Sequence, residues 1–155
     1  MAVRIASVED ARALEGTEIG LTDWILVDQQ RIDKFADATG DHQWIHTDPE
    51  RAAREFPLGT TCAHGALTIS LITGMTTELV ELKGDERFIN YGINKARFRA
   101  MVPSGSKVRI RAVLKSGRKR AGALQLILSC AVEMEGHEKP VATAECVILY
   151  FLEGI

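Results

Sequence analysis

Apolar residues along this chain recur at helical spacing in the first half and alternate with polar residues in the second half. Ile32 and Ala36 lie on one predicted helix face. Asp28, just before this segment, is a typical helix cap, and Gly40, just after it, can adopt the left-handed conformation that ends a helix. The pattern therefore predicts a helix over residues 29–39.

The other elements of the first half are predicted from capping residues and apolar runs. We expect a loose arm over residues 1–20 with a short helix around Val8–Leu14, a strand over Leu21–Val27, a short helix from Pro49 to about Phe56, and a long buried helix that begins after His64-Gly65 and spans residues 66–82. Gly74 lies inside this long helix, where glycine costs about 1 kcal/mol relative to alanine, so it is expected to mark a close backbone contact.

The second half of the chain has the period of strands. The predicted strands are Arg87–Val102, Lys107–Lys115, Leu124–Met134 and Val141–Leu152, with turns at residues 103–105, 116–118 and 135–137. One curved antiparallel sheet wrapped around one long helix buries both apolar sets, so we predict an α+β fold and a single domain over residues 1–155. Exposed sheet edges favour pairing with a second copy, which predicts a homodimer.

Composition narrows the class of protein. Hydrophobic residues make up 46% of the 155 residues and charged residues 26%, which is typical of a soluble globular chain. No run approaches the roughly 18 apolar residues of a membrane span. Cys62, Cys130 and Cys146 are an odd number with no close pair, which favours reduced thiols in the cytoplasm over a disulfide framework.

The charge is unevenly distributed, although the net charge is only -2. Ten Lys or Arg residues and no acid lie between Lys95 and Arg120. Such a run can meet a polyphosphate ligand or a nucleic acid, but a solvated sheet face is the simpler interpretation. Nucleic-acid binding is disfavoured because the basic strands lack the interleaved aromatic residues that stack on bases.

Two places in the sequence carry candidate chemistry. Asp41 and His46 lie between two predicted helices, where a carboxylate and an imidazole can converge on one water. Spacing alone favours a plainer interpretation, in which Asp41 is a turn residue and His46 only precedes a helix cap. Gly65 begins the long helix, where free N–H groups can stabilise a thioester oxyanion, or where glycine only permits tight packing.

Metal and cysteine chemistry are both disfavoured. His42 and His46 have the four-residue spacing of a helical zinc site, but no glutamate follows the first histidine, and Gly40 and Pro49 bracket the segment as non-helical. We therefore expect no metal. Cys62 lies near a histidine, but free cysteines more often serve packing than nucleophilic catalysis.

Together these segments resemble the MaoC-like family of (R)-specific enoyl-CoA hydratases. The motifs that carry the resemblance are Gly40-Asp41, Ile45-His46, Asp48-Pro49, His64-Gly65, Tyr91-Gly92 and Arg97-Phe98. The resemblance covers roughly residues 20–150. Many members have Asn-Pro between the acid and the histidine, whereas this chain has Gln43-Trp44, which is similar to the NodN-like branch. The resemblance implies a hot dog domain in which an overhanging helical segment carries the active site.

The family also implies residue roles. Asp41 and His46 would hold the catalytic water, His46 as base and Asp41 as a participant in proton delivery to the α-carbon. The N–H of Gly65 would bind the thioester oxygen, with His64 beside it on the substrate side. Gln43 would orient the loop or the water, because an amide both donates and accepts hydrogen bonds.

The remaining expectations concern more distant contacts. Thr73 would supply a supporting hydroxyl, and Lys95 and Arg97 would contact the phosphates of coenzyme A. Coenzyme A is part of the substrate, so no separate cofactor is expected, and neither is a nucleic-acid or membrane partner. Two other functions stay open, namely a hot dog thioesterase and a non-catalytic acyl-CoA-binding protein, because a fold does not fix a function.

Overall fold

The computed structural model describes residues 2–82 and 87–151 of the chain. The helices in these ranges are Val8–Ala13 (α1), Gln29–Thr39 (α2), Trp44–Thr47 (α3), Pro49–Glu55 (α4) and Gly65–Met75 (α5), and a 3₁₀ turn follows at Thr76–Glu78. The strands are Val3–Ile5 (β1), Glu18–Leu21 (β2), Ile25–Val27 (β3), Val80–Leu82 (β4), Phe88–Phe98 (β5), Ser106–Arg120 (β6), Ala123–Met134 (β7) and Ala142–Tyr150 (β8). Leu152, the predicted end of the last strand, lies outside the described residues.

The main sheet is antiparallel, with strand order β2-β6-β7-β8-β5, and β3 pairs with β6 beside β2. Its inner face is built from alternating residues of β6, β7 and β8, such as Ile110, Leu128 and Ala144, which are almost completely buried. Helix α5 packs against β5, β7 and β8. The predicted α+β arrangement of a sheet around a central helix is confirmed.

The bend predicted at residues 116–118 is wrong. Strand β6 continues to Arg120 with a bulge between Leu114 and Ser116, and the chain reverses at Ala121 and Gly122, both with positive φ. Gly117 is needed for packing rather than for a turn, because a side chain there would collide with Ala11 of α1.

The central helix is shorter than predicted. It ends at Met75, and the hydroxyl groups of Thr76 and Thr77 then donate to the carbonyl oxygens of Ile72 and Gly74. The residues that follow form β4, which pairs in parallel with β1. The close contact expected at Gly74 is also wrong, since an added Cβ there would meet open space.

The N-terminal segment is ordered instead of forming the loose arm expected for residues 1–20. The short helix predicted there is confirmed as α1, which begins after Ser7 because its side chain accepts a hydrogen bond from the Asp10 N–H at 3.0 Å. Ile5 and Ile19 are buried against the core. The strand predicted over 21–27 is split, because β2 and β3 pair with different parts of β6.

Helices α2 and α4 begin and end where the sequence predicts. Asp28 caps α2 by accepting a hydrogen bond from the Arg31 N–H at 2.9 Å, and Gly40 ends it with φ 77°. Between them the chain forms α3, so the expectation of a non-helical segment between Gly40 and Pro49 is wrong.

Strand β5 forms an open edge of the main sheet. It pairs with β8 on one side, and Ile89, Tyr91, Ile93 and Phe98 are all exposed. No helix in the part of the chain that the structure describes is long and apolar enough to cross a membrane.

Candidate active site

The turn between α2 and α4 brings the predicted carboxylate and imidazole together. Asp41 lies just after Gly40, where its carboxylate faces solvent, and α3 turns His46 inward so that it is only 7% exposed. Three side-chain atoms, a carboxylate oxygen of Asp41 and one ring nitrogen each of His46 and His64, lie within 4.8 Å of one another. A water that makes hydrogen bonds of about 2.8 Å can bridge atoms up to roughly 5.6 Å apart, so this spacing can hold one water between acid and base.

Hydrogen bonds fix the orientation of His46. Its Nδ1 lies 2.7 Å from the carbonyl oxygen of Cys62. A carbonyl only accepts, so Nδ1 carries the proton and the neutral ring keeps the lone pair of Nε2 for another partner. The main-chain oxygen of His46 accepts a hydrogen bond from Gln29 Nε2 at 2.7 Å, and Thr61 Oγ1 donates to Gln29 Oε1. Gln29 and Thr61 could not be predicted as part of the site, since they are distant in sequence and belong to no recognisable motif.

His64 occupies a different position from the one expected. Its ring is 2% exposed and stacks on the ring of His46, with centroids 3.8 Å apart and an interplanar angle of 27°. Its Nε2 donates to the main-chain oxygen of Asp41 at 2.9 Å, and its Nδ1 is buried without a hydrogen-bond partner among the residues that the structure describes. The structure thus places His64 on the Asp41 carbonyl and not in the lining of the apolar cavity, and its contact with substrate stays a prediction.

Gly65 lies where the apolar cavity meets the start of α5. The cavity has a volume of about 560 Å³, and its walls include Ile45, His46, Phe98 and Met101. As the first helical residue, Gly65 has an N–H without an intrahelical partner. An added Cβ would also lie 3.0 Å from the Phe98 ring. The close packing expected of this glycine is therefore observed, and its position at the helix start is compatible with the predicted role as an oxyanion donor.

Two other predicted residues lie outside the cavity lining. The Thr73 hydroxyl donates to the Ser70 carbonyl at 2.8 Å, and Thr68 lines the cavity in its place. Thr73 follows Gly65 by eight residues, which is about 12 Å along a helix, so it is too far from the helix start. The Gln43 side chain is exposed, and its backbone carbonyl accepts from the N–H of His46 at 2.9 Å. Gln43 thus supports the loop through its main chain.

Cys62 lines the cavity but is not arranged as a nucleophile. Its Sγ is 3.9 Å from His46 Nδ1, which donates to the Cys62 carbonyl and so has no lone pair to accept a proton from the thiol. Burial raises the pKa of Cys62 above its ordinary value, which keeps the thiol protonated.

Part of the basic run is neutralised by acids on the outer sheet face. Arg109 and Arg111 each bind Glu133 at 2.7 Å, and the amino groups of Lys95 and Lys115 lie 3.1 and 2.6 Å from Glu145. For these four residues, the interpretation as a solvated sheet face is confirmed. Lys95, which was expected to bind phosphate, is thus already paired.

Two arginines near the end of β5 are arranged differently. Arg97 and Arg99 line a second cavity of about 320 Å³, and Arg99 also lines the apolar cavity. Among the residues that the structure describes, no acid forms an ion pair with either arginine. The sequence analysis did not single out Arg99, since nothing in the basic run distinguishes it from its neighbours.

The clustered side chains of Asp41, His46 and His64 also form a possible metal-ligand set, which differs from the His42–His46 pair considered from the sequence. His42 is exposed, and its Nε2 lies 3.8 Å from Asp37. The set consists instead of Asp41, His46 and His64. One carboxylate and two imidazoles are ligands that zinc accepts, so a test with a chelator is needed.

Comparison with known proteins identifies the relatives of this chain. Residues 10–129 match the MaoC like domain family. A 3-hydroxyacyl-thioester dehydratase Z of Mycobacterium tuberculosis is 46% identical over 145 residues, which are 93% of this chain and 95% of that protein. Nodulation protein N of Rhizobium leguminosarum bv. viciae is 42% identical over 146 residues, covering 92% and 90%.

Solved structures share the fold. The unliganded R-hydratase PhaJ1 from Pseudomonas aeruginosa superposes with a TM-score of 0.72 at 21% identity, over 90% of this chain and 83% of that one. An (R)-hydratase from A. caviae involved in PHA biosynthesis gives a TM-score of 0.67 at 22% identity, over 83% and 91%. The predicted hot dog fold and the NodN-like resemblance are both confirmed, and the chain belongs to the MaoC-like family.

Proposed function

We propose that this protein is an (R)-specific enoyl-CoA hydratase, which adds water to a trans-2-enoyl thioester and catalyses the reverse dehydration. The observation that carries the proposal is the convergence of Asp41 and His46 within 4.8 Å, with His46 Nδ1 bound to a carbonyl and Nε2 left as the base. The name of the 46% identical relative, a 3-hydroxyacyl-thioester dehydratase, supports the same class of reaction.

The proposed chemistry uses the water between the acid and the base. His46 Nε2 accepts a proton from the water as its oxygen attacks the β-carbon of the enoyl thioester. Charge then builds on the thioester oxygen, where the free N–H of Gly65 stabilises it. Asp41 takes part in returning a proton to the α-carbon on the same face. The net change is addition of one water across a double bond, with no oxidation or reduction, so the reaction needs no redox cofactor.

The two cavities suggest how a coenzyme A thioester binds. The apolar cavity suits an acyl chain, with Gly65 and His46 at its wall. Arg99 borders both cavities, and Arg97 lines the second. Guanidinium groups bind phosphate oxygens in a bidentate manner, so we assign the phosphate contacts to Arg97 and Arg99. Lys95 has a smaller part because it is paired with Glu145.

We also propose that the active form is a homodimer in the cytoplasm. The open edge of β5 carries exposed apolar side chains, including Ile89 and Ile93, and pairing with a second copy would cover them. The apolar cavity borders the end of this strand, at Phe98. Light scattering should give twice the chain mass of 17.0 kDa. The free cysteines agree with a reducing compartment, which cell fractionation would test.

The decisive experiment measures hydration of crotonyl-CoA and of longer trans-2-enoyl-CoA substrates by loss of the absorbance of the conjugated thioester, followed by chiral analysis of the product. A thiol-reactive dye in the same assay detects a thioesterase, which would release free coenzyme A. Binding without turnover, unchanged by Asp41→Asn, would identify a non-catalytic acyl-CoA-binding protein instead.

A further inference from the structure

His64 contacts both members of the acid–base pair, yet it does not line the cavity. It donates to the main chain of Asp41 and stacks on the ring of His46. Phe35 packs on His64 as well, with ring centroids 5.0 Å apart. This buried polar side chain contacts Asp41 and His46 but lies outside the lining of the apolar cavity, and the proposed reaction gives it no chemical step.

The hydrogen bonds define the protonation state of His64. Its Nε2 must carry a proton, because the Asp41 oxygen at 2.9 Å only accepts. Within residues 2–82 and 87–151, no group pairs with its buried Nδ1, so a proton placed there would be a charged, buried donor without an acceptor from this part of the chain. The ring is therefore neutral with the proton on Nε2. His46 has the opposite tautomer, since its proton lies on Nδ1.

The bond to the Asp41 carbonyl matters because little else holds this acid. The Asp41 carboxylate is exposed, and its hydrogen bond from the Gln43 N–H is long, at 3.4 Å. The Asp41 N–H makes an equally long contact of 3.4 Å with Thr39 Oγ1. The 2.9 Å bond from His64 is thus the shortest polar contact of Asp41 among the described residues. Loss of this bond would let the turn, and the carboxylate with it, move away from His46.

The stacking of the two rings has a second consequence. When His46 takes a proton from water, it becomes positively charged. A neutral ring at 3.8 Å adds no repulsion to this charge, whereas a charged ring at that distance would oppose it strongly in a buried site.

We infer that His64 is a positioning residue, which fixes the Asp41 turn through its Nε2–H and offers His46 a neutral ring. This inference rests on the proposed hydratase function. It also assigns His64 a role distinct from binding the oxyanion, which remains with the Gly65 N–H.

A matched pair of variants separates the donor from the ring. His64→Gln keeps an amide donor near the position of Nε2, whereas His64→Phe keeps a stacking ring without a donor. For His64→Phe we expect kcat for crotonyl-CoA to fall about 100-fold, the effect of a displacement of about 1 Å at a reacting group, while KM changes less than about threefold. His64→Gln should keep kcat within about tenfold of the wild type. Equal losses in both variants, a loss confined to KM, or full activity of His64→Phe would overturn the inference.

A second measurement does not depend on activity or on the folding of a variant. Nitrogen NMR of the imidazole groups in the wild-type protein at neutral pH should show a neutral His64 with the proton on Nε2 and a neutral His46 with the proton on Nδ1. A charged His64, or a proton on its Nδ1, contradicts the inference. If the tautomers are as expected but the wild type hydrates neither crotonyl-CoA nor a longer trans-2-enoyl-CoA, the proposed function fails. A hydratase with a charged His64 retains the function and rejects the positioning role.

Discussion

The outer face of the sheet and the cavity end of the molecule differ in whether their polar groups have partners. On the outer face, Arg109 and Arg111 share the carboxylate of Glu133, and Lys115 binds Glu145. At the cavity end, Arg99 has no ion-pair partner within the described ranges 2–82 and 87–151.

The buried histidines at the cavity end show the same contrast within single side chains. One nitrogen of each ring binds a main-chain carbonyl, and the other nitrogen, Nε2 of His46 or Nδ1 of His64, has no direct partner in the described part of the protein. Buried polar atoms in proteins are almost always paired, so unpaired ones indicate a role beyond stability. Paired charges therefore stabilise the sheet, whereas polar groups without a partner lie at the cavity end, where we propose that water, thioester and phosphate bind.

The largest expected effect comes from removing the acid or the base. Asp41→Asn and His46→Gln should each lower kcat at least about 100-fold, because each removes a proton-transfer group from the reacting water. Arg111→Ala, on the paired outer face, is the matched control and should keep kcat. Steady-state kinetics on crotonyl-CoA measure all three, and a fully active Asp41→Asn protein would rule out the assignment.

Next in size is the effect of adding a methyl group at the start of α5. Gly65→Ala places a Cβ 3.0 Å from the Phe98 ring, so the ring must move into the cavity, and we expect kcat/KM to fall about tenfold or more. Gly74→Ala in the same helix meets open space and should raise the free energy of unfolding by up to about 1 kcal/mol with unchanged kcat/KM. Similar kinetics for the two variants would show that the glycine at the helix start has no special place in the site.

Removal of the Arg99 side chain should have a smaller effect, confined to substrate binding. Arg99→Ala should raise KM for crotonyl-CoA about fivefold to tenfold and leave kcat nearly unchanged, since an exposed phosphate contact contributes modestly. The increase should shrink at high salt. Arg109→Ala, whose guanidinium binds Glu133, is the control for loss of a positive charge. An equal rise in KM for both variants would mean that general charge, and not position, attracts the substrate.

A weaker effect is expected on the outer face, and it appears in stability instead of catalysis. Burial raises the pKa of Glu133, but hydrogen bonds from Arg111 and Arg109 outweigh it, so the net pKa lies below the ordinary value of 4.5. The ion pairs therefore add stability that is fully present above about pH 4.5 and is lost as the pH falls through the lower folded pKa.

Glu133→Gln tests this pH dependence. Its free energy of unfolding in urea should be lower than that of the wild type by about 1 kcal/mol or less at pH 7, and the difference should vanish in acid. Hydratase activity at pH 7 should be unchanged. A difference that persists below the folded pKa would indicate that packing, and not charge, is lost.

The smallest expected effect is that of a chelator. If Nε2 of His46 activates the water and Nε2–H of His64 fixes the Asp41 turn, prolonged dialysis against EDTA should leave kcat for crotonyl-CoA unchanged. Loss of activity that added zinc restores would instead show that Asp41, His46 and His64 bind a metal, and the proposed water activation would have to be revised.

Local signals made much of this fold predictable. Asp28 and Gly40 fix the ends of α2 through their own side chain and backbone, and the alternation of β7 reflects burial on one face of a sheet. The sequence motifs also placed Asp41 and His46 together, because both lie on one short turn.

Non-local contacts explain what the sequence did not reveal. The pairing of β1 with β4 joins residues far apart in the chain, and neither three-residue strand has a pattern of its own. The interaction of His64 depends on a carbonyl 23 residues away, and Arg99 stands out from other cations because it borders both cavities. The type of a residue does not reveal which distant residues it contacts in the folded protein.

The contact between Gly117 and Ala11 sets a mutual size limit on two segments that are distant in sequence. Helix α1 packs this closely on β6 because position 117 has no side chain and position 11 has only a methyl group, and a Cβ added at 117 would lie 2.4 Å from that methyl group. A larger residue at 117 would collide with Ala11 and displace the amino-terminal helix from the sheet. This contact lies on β6, whereas the catalytic turn lies between α2 and α4. A larger residue at 117 should therefore lower the melting temperature and leave the chemistry at the turn intact.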